Sequence, residues 1–107
     1  MKTTIALTSL AALAHETRLA VFRFLVSIGP EGAAAGDIAA KFKIPAPTLS
    51  FHLKELEQSG LIHARRASRN IIYAADYEHM RMLLSYLMDD CCRGRPEICG
   101  IAKKVCV

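Results

Sequence analysis

The spacing of apolar residues changes period at Gly60, and few architectures permit that change where it falls. Before Gly60 the apolar positions recur at helical spacing. After it come two short alternating runs, Leu61-Ile62-His63-Ala64-Arg65 and Asn70-Ile71-Ile72-Tyr73-Ala74. Both read as strands, and Arg66-Ala67-Ser68-Arg69 between them reads as a hairpin tip. Just upstream, a helix is expected over 46–58 with Leu49, Leu53 and Leu56 as its buried stripe, ended by Gly60. Lys43-Ile44-Pro45 is a tight turn, and a short helix over 35–42 precedes it, burying Ile38, Ala39 and Phe42.

A short helix, a tight turn, a longer amphipathic helix and then a basic hairpin make a winged helix-turn-helix. The expected class is mainly α (α+β). Two further helices precede the motif. Residues 3–13 carry Ile5, Leu10 and Leu13 with alanines between, and residues 16–28 place Leu19, Phe22, Leu25 and Val26 on one face. Gly29-Pro30-Glu31-Gly32 breaks the chain after them. A last helix is expected over 77–90, capped by Asp76, with Tyr77, Met80, Leu83, Leu84, Leu87 and Met88 along its apolar face. Gly94, Pro96 and Gly100 disrupt any helix beyond it. The chain divides into a folded region, 1–90, and a tail, 91–107.

At 107 residues this is one domain, and 52% of its residues are hydrophobic. Small domains bury a modest share of their surface, so the excess apolar area predicts a dimer. The formal charge of +4 is unevenly placed. Residues 1–40 and 74–107 are each neutral. Residues 41–73 hold Lys41, Lys43, Lys54, Arg65, Arg66 and Arg69 against only Glu55 and Glu57. A local basic stripe is the footprint expected of a nucleic-acid surface.

All four cysteines, Cys91, Cys92, Cys99 and Cys106, fall in the last seventeen residues. Buried packing rarely needs two adjacent thiols, whereas a soft ion that takes three sulfurs needs such a cluster. Met1-Lys2 and the apolar run to Ala14 mimic a short secretory signal, but one lysine is a weak positive region and cleavage would remove a helix. No run approaches the ~20 apolar residues of a membrane span. The chain therefore reads as cytoplasmic with no membrane partner, and its thiols as reduced.

Several motifs resemble one family. Leu13-Ala14-His15-Glu16-Thr17-Arg18-Leu19 looks like the Leu-Ala-Asp-Pro-Thr-Arg-Leu signature of the arsenic-responsive repressors, the ArsR/SmtB-type winged-helix metal sensors. Thr48-Leu49-Ser50-Phe51-His52-Leu53-Lys54-Glu55-Leu56 resembles their recognition helix. Gly60-Leu61-Ile62 and Arg65-Arg66 through Tyr73 resemble their wing. The likeness covers residues 10–90. It implies a homodimeric repressor built through the first and last helices, here 3–13 and 77–90. It also implies pseudo-palindromic double-stranded operator DNA, in an arsenic-resistance operon, released when a metal or metalloid binds.

The departures from the family pattern are informative. The helix-turn-helix cysteine site is absent, because Gly36-Asp37-Ile38-Ala39-Ala40 stands there. Of a second family site, for zinc, Asp76 and His79 are present but a downstream histidine is not, which makes His79 a surface or dimer-contact residue. What remains resembles the branch with a vicinal cysteine pair, Gly-Arg-Pro-Glu and a third cysteine. That implies Cys91, Cys92 and Cys99 as ligands for trivalent arsenic or antimony, the expected inducers, with Cys106 either spare or a further ligand suited to cadmium or zinc.

On a helical projection of 46–58, Pro47, Ser50, Phe51 and Lys54 lie opposite the leucine stripe, flanked by Thr48 and Glu55. Thr48, Ser50 and His52 match family positions near DNA, with His52 nearer the buried side. Serine and threonine reach base edges or phosphates, and Phe51 suits a thymine methyl. Arg65, Arg66 and Arg69 are expected on phosphate or in a minor groove. Two rival readings keep their place: a thiol-oxidation switch on the same DNA-binding domain, and a metalloid carrier that does not bind DNA. An enzyme is not expected, since no phosphate loop or acid–base constellation is present and His15, His52, His63 and His79 are scattered.

Overall fold

The computed structural model describes residues 1–88. The expected last turn at 89–90 and the tail 91–107 lie outside the described residues. The element order is α1 (Thr3–Leu13), α2 (Glu16–Ile28), β1 (Ala33–Ala34), α3 (Ala35–Phe42), α4 (Ala46–Gln58), β2 (Ile62–Ala67), β3 (Asn70–Ala75) and α5 (Tyr77–Leu87). The strands form one antiparallel sheet in the order β1-β3-β2. This is a winged helix-turn-helix, as the change of period at Gly60 predicts.

Val21, Phe22 and Leu25 of α2, Ile38 of α3, and Leu49, Leu53 and Leu56 of α4 meet in the core with Leu61, Ile62 and Leu83. Each large side chain buried in this way contributes about 1.5–3 kcal/mol relative to exposure. Leu19, expected on the inward stripe of α2, is 44% exposed, and Val21 is fully buried instead.

Helix α1 turns its small residues inward. Ala6, Ser9 and Ala12 are buried at a spacing of three, so the helix lies close against α2, α4 and α5. Ile5 and Leu10, on the helix that the family resemblance implies for dimer contact, are exposed together with Leu7. The close approach leaves room inside only for alanine and serine.

The joints are fixed by hydrogen bonds. Gly60 takes φ of +89°, and the Leu61 amide then donates to the Leu56 carbonyl at 3.2 Å. The Asp76 amide donates to the Leu61 carbonyl at 2.9 Å, so α5 starts beside the end of α4. Asp76 caps α5 as expected, accepting from the His79 amide at 2.9 Å. The Tyr77 hydroxyl donates to the Val26 carbonyl at 2.8 Å, satisfying an end carbonyl of α2.

The strand β1 has no counterpart in the sequence pattern, since two alanines carry no period. It exists because Gly32, at φ of +72°, lets the backbone pass close to β3. A Cβ there would lie 2.3 Å from the Tyr73 carbonyl oxygen. The hairpin is longer than expected. Arg66 and Ala67 belong to β2, and only Ser68 and Arg69 form the turn. His79, expected at the surface or in a dimer contact, is half-buried beneath α1.

Candidate nucleic-acid interface

The second helix of the motif presents one face outward. Pro47, Thr48, Ser50 and Lys54 are exposed, and Phe51 is 55% exposed, unusual for so large an apolar ring. The helix begins without a capping side chain. Pro45 occupies the cap position and Pro47 the first turn, so neither offers an amide hydrogen. Its inner face, Leu49, Leu53 and Leu56, fixes its rotation. In the turn before it, Lys43 adopts the left-handed conformation at φ of 55° and closes α3.

His52 sits differently from the rest of the predicted set, at only 7% exposure. Its Nδ1 accepts a hydrogen bond from Arg18 Nε at 3.2 Å. Its ring lies 4.7 Å from the His15 ring and 5.8 Å from that of Phe51. Burial pushes its pKa below the ordinary histidine value, and the neighbouring His15 and Arg18 push it the same way. A neutral ring is also what an acceptor for Arg18 requires. His15 in turn starts α2, its Nδ1 accepting from the Thr17 amide at 3.2 Å.

Arg18 is the residue that sequence reasoning left without a role. Its guanidinium carbon lies 5.6 Å from the Phe51 ring centroid, a cation–π arrangement, while its Nε holds His52. Thirty-four positions separate Arg18 and His52, and no local signal links them.

In the wing, Arg65 pairs across from Ile72 and Arg66 from Ile71. Adjacent strand residues point to opposite faces, so these two arginines leave the hairpin on different sides. Arg65 donates to the Glu31 carbonyl at 2.9 Å, tying the hairpin to the loop before β1. Arg69 lies in the turn beside Ser68, whose φ is 61°. Arg65, Arg66 and Arg69 are all exposed.

Cys91, Cys92, Cys99 and Cys106 lie outside the described residues. Among the described residues no three of His, Cys, Asp and Glu converge to hold a metal. The Asp76 carboxylate is engaged as a helix cap and His79 Nε2 meets Ser9 Oγ at 2.8 Å, so both remaining zinc-type positions have internal partners. Among the described residues no single helix is long and apolar enough to cross a membrane.

Comparison with known proteins decides the lineage. A family profile described as a helix-turn-helix domain matches residues 13–65. The ArsR family transcriptional regulator RHA00566 superposes with a TM-score of 0.70 at 28% identity, covering 83% of this chain and 89% of that one. This chain belongs to the ArsR family. A relative outside the solved structures is the HTH-type transcriptional regulator KmtR of Mycobacterium tuberculosis, 33% identical over 72 residues, which are 67% of this chain and 53% of KmtR. The chain thus spans about half of that relative's length. The ArsR fold is also shared with the homodimeric winged helix-turn-helix DNA-binding domain Mb0332 of Mycobacterium bovis, at a TM-score of 0.67 and 23% identity, covering 86% and 85% of the two chains. The relatives RHA00566 and KmtR are both transcriptional regulators.

Proposed function

We propose that this chain is a homodimeric transcriptional repressor whose α4 and wing bind promoter DNA. Trivalent arsenic or antimony, held by thiolates of Cys91, Cys92 and Cys99, releases it. The observation that carries the DNA-binding half is α4 itself. It is locked in rotation by its leucines, yet leaves Pro47, Thr48, Ser50, Phe51 and Lys54 exposed beside an arginine-bearing hairpin. Short hydroxyl side chains, a lysine and a thymine-compatible ring form a major-groove set, and the wing arginines supply phosphate contacts.

The dimer reading rests on α1 and α5. Ile5, Leu7 and Leu10 of α1 and Met82 and Leu87 of α5 are all exposed, on two helices joined by a hydrogen bond between the Thr3 and Tyr86 hydroxyls. A second copy would cover them and set two α4 helices about 34–36 Å apart, one turn of the duplex. The arsenic reading rests on the sequence of the tail, where three soft sulfur donors cluster directly after α5. Arg93 and Arg95 favour thiolate there, and Asp89 and Asp90 oppose it. Inducer binding would act on the dimer helix that the tail follows, and linkage requires the inducer to prefer the DNA-free state.

Fluorescence anisotropy of a labelled fragment of the gene's own promoter, titrated with reduced protein and then arsenite, tests the proposal. Saturable binding that arsenite reverses is the expected result. Binding unaffected by arsenite would overturn the inducer and point to another metal or to thiol oxidation. Absence of binding would overturn the repressor.

A further inference from the structure

A half-exposed phenylalanine on a DNA-facing helix, held on one side by a buried contact network, is an unusual use of an apolar ring. Phe51 has no group that can donate or accept a hydrogen bond. In the major groove the base feature that rewards such a ring is the thymine C5 methyl, since the other base edges there present donors and acceptors. The ring is also not free to roam. The Arg18 guanidinium lies 5.6 Å from its centroid, and the His52 ring stands 5.8 Å away at 66°. Arg18 is anchored in turn, because its Nε donates to the buried His52 Nδ1 at 3.2 Å. Exposed aromatic side chains lose rotational freedom on binding, and a ring held beforehand loses less.

We propose that Phe51 is the thymine-discriminating residue of this chain, and that Arg18 is its positioning residue, acting through the joint contact with His52 and the Phe51 face. This deepens the DNA-binding reading and rests on it. Arg18 touches no base. It sets where the ring sits, and α2 thereby fixes the specificity of α4.

The test uses the full chain and its own promoter. The protected bases are located by footprinting. A second duplex then carries deoxyuridine at every thymine within the footprint, which removes the methyls and leaves the hydrogen-bonding edges in place. The wild-type chain is expected to bind the uracil duplex more weakly, by about fourfold for each thymine methyl that the ring covers. Phe51→Ala should bind the two duplexes with equal affinity. Arg18→Lys keeps the charge but has no guanidinium fork to hold His52 and stack on the ring, so its discrimination ratio should fall toward one. Arg18→Ala should behave alike, and circular dichroism shows whether it folds.

Equal wild-type affinity for the thymine and uracil duplexes overturns the inference and leaves DNA binding standing. A wild-type ratio that survives in both Arg18 variants overturns the positioning role. Failure of the wild type to bind either duplex overturns the DNA-binding reading and the inference with it. A general loss of stability cannot produce the expected pattern, since it would weaken binding to both duplexes alike.

Discussion

Ser9 on α1 and His79 on α5 meet at 2.8 Å, although seventy residues separate them in sequence. The same hydroxyl also reaches the Ser59 carbonyl at 3.3 Å, at the end of α4. One fully buried serine thus ties together α1, α5 and the end of α4. Replacing it leaves a half-buried imidazole nitrogen and a carbonyl without that partner. Ser9→Ala should lower stability by about 1–3 kcal/mol, read as a lower urea midpoint at unchanged slope.

His52 makes folding sensitive to acid. Its pKa is depressed in the folded state, so between that value and the ordinary histidine value the unfolded chain binds more protons. The stability it confers is therefore fully present above the unfolded pKa, about 6.5, and is lost as pH falls below it. Denaturant midpoints measured from pH 7.5 down to 5 should decline in the wild type. The decline should be shallower in His52→Gln, and equal slopes in both proteins would refute the assignment.

The exposed face of α1 offers a direct test of assembly. A charge placed there leaves the core untouched, because Leu7 is 60% exposed and Leu10 is 37% exposed. Leu7→Glu combined with Leu10→Glu should shift the protein from dimer to monomer in sedimentation equilibrium. Its circular dichroism should be retained, and operator affinity should drop by at least tenfold, since one half-site alone is then held.

The wing predicts a salt signature. Arg66→Ala with Arg69→Ala should weaken binding to any duplex and flatten the dependence of log affinity on log salt, by about 0.9 for each phosphate no longer neutralised. Arg65→Ala is a different case, because its guanidinium also braces the Glu31 carbonyl. That variant should show a lower thermal midpoint as well as a reduced slope. An unchanged slope in the double variant would remove the wing from the interface.

For the inducer, Cys92→Ser should abolish the arsenite response while leaving operator affinity near wild type. Anisotropy titration with and without arsenite reads both quantities on one sample. Retained wild-type sensitivity to arsenite would take Cys92 out of the site.

The elements with strong periodicity are legible in the sequence. α4 occupies Ala46–Gln58, as its leucines at a spacing of three to four require, and Asp76 caps α5. The direction each helix faces is harder to read where large and small apolar residues share a helix. On α1 Ala6, Ser9 and Ala12 are the residues inside and Ile5, Leu7 and Leu10 lie outside, a division that helical spacing alone does not reveal. β1 is invisible in sequence because its cause is Gly32 passing the Tyr73 carbonyl, a contact set by a strand forty residues on. The outward residues of α4 follow from projection, with His52 placed toward the buried side. Arg18 has no signal of its own, since its partners Phe51 and His52 become neighbours only when α2 packs on α4.

The prolines at the head of α4 carry one more consequence. Most helices begin as a frayed turn that a side-chain oxygen steadies, and such a turn stiffens only when something docks on it. Pro45 and Pro47 fix their backbone angles by ring closure, so the leading turn of α4 keeps its shape with no oxygen to hold it. An operator therefore meets an edge whose outline is already cut. Sequences that fit poorly gain nothing from local yielding at that edge, which makes its rejection of them a matter of stiffness as much as of chemistry.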